Sequence, residues 1–273
     1  MRSLLEIFDL DTGTASTVLD HDGHIEAPNW TPDGHDLIVN GGGHLYRVPL
    51  SDPSLHQIDT GDLDRLNNDH GVSPDGKMLV VSQSPARSTS IIYTLPIGGG
   101  VPERITPLAP SWWHGWSPDG ATLAYVSVRD GQFGIATCPV AGGEETVLIT
   151  SPHHYDGPDY TPDGQWIWFN SDRGGSMDLW RMRADGSDPQ QMTDDERVNW
   201  FPHPSPDGAS VVYLAYEQGT EGHPPERNVQ LRLMDLATGQ IRILMSLFGG
   251  QGTLNVPCWS PDSRSFAYMR YAR

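Results

Sequence analysis

The chain has 273 residues, 37% hydrophobic and 19% charged, which suits a folded protein with a substantial core, and no stretch approaches the roughly 18 consecutive apolar residues of a membrane-spanning helix. With 17 basic against 35 acidic residues the formal charge is −18 and Lys77 is the single lysine, so attraction to nucleic acid or to an anionic membrane surface is disfavoured. Cys138 and Cys258 lack disulfide or metal spacing and read as small buried hydrophobes, whereas 30 glycines and 23 prolines signal many tight turns between short strands.

The start, MRSLLEIFDLDTG, lacks the apolar core of a signal peptide, and a cytoplasmic protein is expected. The first element, SLLEIFDLDTGTASTVL at residues 3–19, is a hairpin whose pattern returns late in the chain as VQLRLMDLATGQIRIL. Next comes TPDG at 31, the first of six related turns, followed by SPDG at 73, SPDG at 117, TPDG at 161, SPDG at 205 and SPDS at 260. Their prolines, Pro32, Pro74, Pro118, Pro162, Pro206 and Pro261, lie 42, 44, 44, 44 and 55 residues apart, the period of a four-stranded propeller blade. In each turn Ser or Thr and Asp hydrogen-bond nearby backbone, Pro presets φ and Gly accepts positive φ. An apolar run such as HDLIVN, KMLVVSQ or QWIWFNS follows as a second strand, and a further hairpin supplies strands three and four.

Blade five carries an insertion, YEQGTEGHPPERN at 216–228, whose Gly, Pro and charge content predicts a mobile loop, a lid or a contact for a protein partner. GGQGT at 249–253 lacks the lysine and flanking elements of a phosphate loop and reads as a turn that brings Gln251 or backbone amides toward the channel, so no nucleotide or organic cofactor is expected. The last motif is followed by one strand only, and residues 3–19 are therefore expected to complete the blade begun by 252–273. The expectation is an all-β, single-domain, six-bladed propeller over 1–273, closed by pairing the two ends of the chain.

PNWTPDG, PDYTPDG and PCWSPDS follow the pattern P-x-W-S-P-D-G most fully and HGWSPDG keeps its second half. On these motifs the chain resembles the TolB-like propellers built from WD-like repeats, along its whole length. The resemblance implies the fold strongly and function weakly, because this architecture hosts scaffolds, peptidase gates, lyases and hydrolases.

Function is expected where the repeats differ. The residues from nine to three before each motif proline enter the first strand from the mouth opposite the motif turns, here called the upper mouth. These windows hold 42 of the 273 residues yet six of the eleven histidines, His24, His70, His114, His153, His154 and His203. Strand alternation places the residues four and six before each proline on one face. The first row contains His70 and His114 on adjacent blades, and the second is Glu26, Asn68, Trp112, Asp156, Trp200 and Asn255. His203 and Cys258 have the other parity and are expected to pack within or between blades.

Three uses of this mouth compete. A carbohydrate or acidic sugar would stack on Trp112, Trp113, Tyr155 or Trp200, hydrogen-bond the polar row, and meet Arg87, Arg129 and Arg173 from the loops between strands two and three. A divalent metal would take His70, His114, His153 or His154, and Asp156. A metal-dependent lyase would then use His154 or Tyr155 as base, whereas a glycoside hydrolase would use Glu26 and Asp156. Some propeller polysaccharide lyases are similar in placing a metal and histidines at a channel mouth. The third use is a non-catalytic interaction scaffold, with segment 216–228 as its contact.

Overall fold

A computed structural model describes residues 1–86 and 89–272. Blade one comprises Glu26–Trp30, Asp36–Gly41, His44–Pro49 and His56–Ile58. Blades two to five repeat that antiparallel meander, beginning with the inner strands Leu66–Val72, Ser111–Trp116, Tyr155–Tyr160 and Val198–Pro204. The sixth blade joins both ends of the chain: Trp259 bridges Phe266 in Ser265–Ala272, which lies beside Arg2–Asp9, itself paired with Thr14–Asp22. Buried Glu6 clasps this junction, accepting from Tyr268 Oη at 2.6 Å and from the Arg270 guanidinium. The six-bladed, all-β ring read from the repeats is what the chain forms, with no helix among the described residues.

Local chemistry explains why each motif turns. Thr31, Ser73, Ser117, Thr161, Ser205 and Ser260 each donate a hydroxyl to the Asp two residues on, at 2.6–2.7 Å. The fourth residue adopts positive φ, as in Gly34 at 76°, and Ser263 adopts 63° where the sixth repeat lacks glycine. Between neighbouring blades the alternating strands bury apolar seams, for example Trp168 and Leu179 of blade four against Val211, Tyr213 and Met234 of blade five.

The inner strands depart from regular alternation. In blades one, four and five the ladder slips between Glu26 and Asn29, Asp156 and Asp159, and Trp200 and His203. Ala27, Gly157 and Phe201 occupy these bulges with φ of 55–59°. Their amides find other acceptors: Ala27 N–H donates to Gly252 O at 2.7 Å and Phe201 N–H to Asn170 Oδ1 at 3.0 Å. The extra residue resets which side chains face the channel, so strict alternation does not hold across it.

The insertion in blade five leads into a longer hairpin. Pro225–Asp235 pairs with Ile241–Gly250, and Pro225 opposite Gly250 marks its upper end. The segment expected to be a mobile loop at 216–228 thus contains a shorter arc over 217–224 that leans over the upper mouth, while 225–228 is strand.

Candidate functional site

The upper mouth holds a cavity of about 450 Å³ bordered by Asn67, Asn68, Asp69, Trp112, Phe133, Gln251 and Asn255, with a carboxylate ringed by imidazoles at its floor. Asp156 Oδ1 lies 3.0 Å from His114 Nε2, and Asp156 Oδ2 lies 3.5 Å from His154 Nε2 and 3.6 Å from His223 Nε2. Gly157 N–H donates to Asp156 Oδ1 at 2.8 Å. Asp69 Oδ1 stands 4.0 Å from the same nitrogen, His114 Nε2. The imidazoles are held by aromatic neighbours: His154 between Phe133 and Trp200 at centroid distances of 4.2 and 5.7 Å, and His223 against Trp200 at 4.5 Å and Phe201 at 5.2 Å.

Burial alone would raise the Asp156 carboxyl, but hydrogen bonds from His114 and His154 outweigh it and hold the group well below the usual carboxylate range. For His114 and His154, burial opposes protonation, and the hydrogen bonds and charge of Asp156 reverse that, leaving both raised. His223 is lowered, chiefly by burial, with the two other imidazoles adding to the effect against the pull of Asp156. Asp69 is pushed up to about 7 by burial, with Asp156 and Glu26 reinforcing and His114 opposing the shift. The cluster therefore gathers two imidazoles whose hold on a proton is strengthened around one carboxylate held low, with Asp69 beside them.

Several residues singled out in the sequence meet here: Asn68, Trp112, His114, His154, Asp156 and Asn255 border the cavity, and Gln251 reaches it from the GGQGT turn. Glu26 lies over blade one in an adjoining depression, held by His24 Nε2 at 3.4 Å, Asn40 Nδ2 at 3.2 Å and Asn68 Nδ2 at 3.4 Å. Glu26 is paired with His24 and Asp156 with His114, His154 and His223, so the two carboxylates are held by separate partners. Trp200 is buried but walls the compartment between blades four and five.

Other expected residues point elsewhere. His70 is back in the ladder opposite Val81 and sends Nε2 to Ile38 O at 3.3 Å, where burial lowers it to about 4. In blade three the slip falls between Trp113 and Gly115, freeing His114 to turn to the mouth. The two histidines occupy the same place in the repeat, yet the position of the bulge sends them to different surroundings. His153 is half exposed and lies 3.4 Å from Asp172 rather than in the cluster. Trp113 is buried and borders the opposite opening, while Tyr155 is buried against Phe169 with its hydroxyl on Ser151 Oγ at 2.7 Å, so neither faces the mouth. Arg129 is consumed by Glu145, Ser111 Oγ and Pro110 O, and Arg173 lies 4.9 Å over Trp180. Arg87 falls outside the described residues. Among the described residues no group of three or more His, Cys, Asp or Glu is arranged to hold a metal ion, and neither His70 nor His153 joins Asp156. His203 and Cys258 are buried as expected, with His203 Nδ1 3.0 Å from Asp159 across two blades.

His223, Asp69, Phe133 and Phe201 were missed as site residues. The usable signal for His223 was the pair Pro224 and Pro225, which ends the inserted arc directly after it.

Fold and site together define a closed six-bladed propeller with a polar, histidine-lined cavity at one mouth of its channel. The family model for the TolB beta propeller domain matches residues 1–156 and 108–273, and the chain belongs to that family. It is 47% identical over 272 residues to an uncharacterized protein of Agrobacterium fabrum, covering 99% of this chain and 93% of that one. The structure of a putative TolB from Agrobacterium tumefaciens superposes with a TM-score of 0.97 at 47% identity, over 100% of this chain and 99% of the other. An oligogalacturonate lyase in complex with manganese shares the fold at a TM-score of 0.63 and 17% identity, over 96% and 77% of the two chains.

Proposed function

We propose that the upper mouth binds a small acidic carbohydrate, or a polar metabolite of the same chemistry, through its carboxylate. The observation that carries this reading is the ring of His114, His154 and His223 around Asp156 at the floor of a cavity with Trp112 and Phe133 in its walls. Imidazoles, when protonated, supply charge-assisted donors to a carboxylate, Asn67, Asn68, Gln251 and Asn255 suit hydroxyls, and the aromatic walls suit the apolar face of a sugar ring. The likeness to the lyase concerns the fold and carries none of this argument. A β-elimination from a uronide would need His154 in its neutral form as the base, which its pairing with Asp156 opposes.

Tryptophan fluorescence and calorimetry with glucuronic acid, galacturonic acid and their neutral parent sugars test the proposal. The acids bind, the neutral sugars bind at least about tenfold more weakly, and His154→Ala removes most of the difference. Equal affinity for acids and neutral sugars would overturn it. Manganese titrated into the chelator-treated protein examines the rival occupant: tight metal binding with no response to the acids would replace this reading.

A further inference from the structure

The central cavity is one of three adjoining compartments on the upper face that share lining residues. The second, about 800 Å³, lies between blades four and five beneath the 219–224 arc and includes Asp172, Ser176, Met177 and Trp200. The third, about 280 Å³, lies over blade one between Glu26 and Pro225. Gln251 borders all three, His154 and His223 separate the first from the second, and Asn67 and Asn68 separate the first from the third. A ligand filling only the central cavity would leave most of this trough unused.

The compartments differ in charge. The imidazoles of His114, His154 and His223 are gathered in the middle one. In the third compartment the Glu26 carboxylate already holds His24, Asn40 and Asn68, so no surplus cation is offered there. In the second, Asp172 accepts from His154 N–H at 2.9 Å and faces His153 at 3.4 Å, and Glu221 is exposed on the overhanging arc. No Lys or Arg is among the described residues lining the three compartments. Carboxylates and amides bind hydroxyl groups well and repel a further carboxylate.

We propose that the upper face takes a linear oligosaccharide with one acidic unit between neutral ones, the acid at the imidazole cluster and hydroxyl-bearing units in both flanking compartments. The inference rests on the acidic-carbohydrate reading above and adds length and charge pattern to it. Gln251, at the crossing of the compartments, is then a specificity residue that contacts more than one unit.

Calorimetry on the full chain at pH 6 with four probes tests this: glucuronic acid, a hyaluronan trisaccharide with glucuronate between two N-acetylglucosamines, trigalacturonic acid and maltotriose. The mixed trisaccharide binds at least about tenfold tighter than glucuronic acid and tighter than trigalacturonic acid, and maltotriose binds weakest. Glu26→Gln, with its fold checked by circular dichroism and melting, raises trigalacturonate affinity severalfold and narrows the gap between the two acidic trisaccharides. If glucuronic acid binds but length adds nothing, or if trigalacturonate equals or exceeds the mixed trisaccharide, this inference fails while the function proposed above stands. If no acidic probe binds, both fail.

Discussion

At the lower end of the channel every repeat does the same thing, with a Ser or Thr hydroxyl donating to the motif Asp across a turn. The motif glycines Gly34, Gly76, Gly164 and Gly208 each pack beside the motif proline of the preceding blade, closing these turns into a ring. At the upper end the equivalent row reads Glu26, Asn68, Trp112, Asp156, Trp200 and Asn255, six different environments on one scaffold. Repetition at one end supplies a rigid frame, and its breakdown at the other supplies chemistry. Burial follows the same division: the frame satisfies its polar groups locally, whereas the mouth keeps Asp69, Asp156, His114 and His154 mutually dependent for their charge.

If that division holds, variants of the frame change stability without changing ligand affinity, and variants of the mouth do the reverse. The largest stability loss is expected for Glu6→Ala, which leaves the buried Tyr268 hydroxyl without its acceptor and releases the partly exposed Arg270 guanidinium at ring closure, at a cost of about 2–3 kcal/mol by urea denaturation. Gly71→Ala comes next. A Cβ there would overlap the buried Trp113 indole, and the overpacking costs about 2 kcal/mol in the same measurement. Thr161→Val removes one motif hydroxyl bonded to Asp163 and costs about 1 kcal/mol. His223→Ala should lie below these in stability, at less than about 1 kcal/mol, since the side chain comes from an overhanging arc, yet it should weaken binding of acidic ligands severalfold. A frame variant that abolished binding while retaining its melting temperature would break the comparison.

The frame was legible because its chemistry is local: Pro, Gly and a hydroxyl two residues from an Asp specify the turn wherever they occur. Closure was legible from the missing hairpin after Pro261 and the unpaired one at 3–19. The mouth was only partly readable. Alternation correctly aimed Asp156, Trp112 and Asn255 at the channel, but the bulge resets the register three residues before the motif and moves by a residue between blades. His70 and His114 look equivalent in sequence and part company for that reason. By residue type Trp113 and Tyr155 suit a platform, whereas packing between blades claims both. His223 comes from another part of the chain altogether, carried over the mouth by a hairpin longer than its siblings.

The charge of the cluster is the central claim, and pH reads it. His114 and His154 have raised values in the folded chain, so the stabilisation they confer is complete below the ordinary imidazole range and is lost as pH rises through the folded values. Asp156, held low, acts oppositely and loses its contribution only as pH falls through its depressed value. Asp69, neutral below about 7, adds a negative charge to the mouth above it. Both changes at higher pH disfavour an anionic ligand. The most direct measurement is therefore the affinity for glucuronic acid by calorimetry between about pH 6 and pH 8.5, above the ordinary carboxylate range throughout. A loss of at least about tenfold over that interval is expected, and a smaller one in His154→Ala, where His114 and Asp69 still titrate. An affinity that stays constant or strengthens as the imidazoles lose their protons would contradict it.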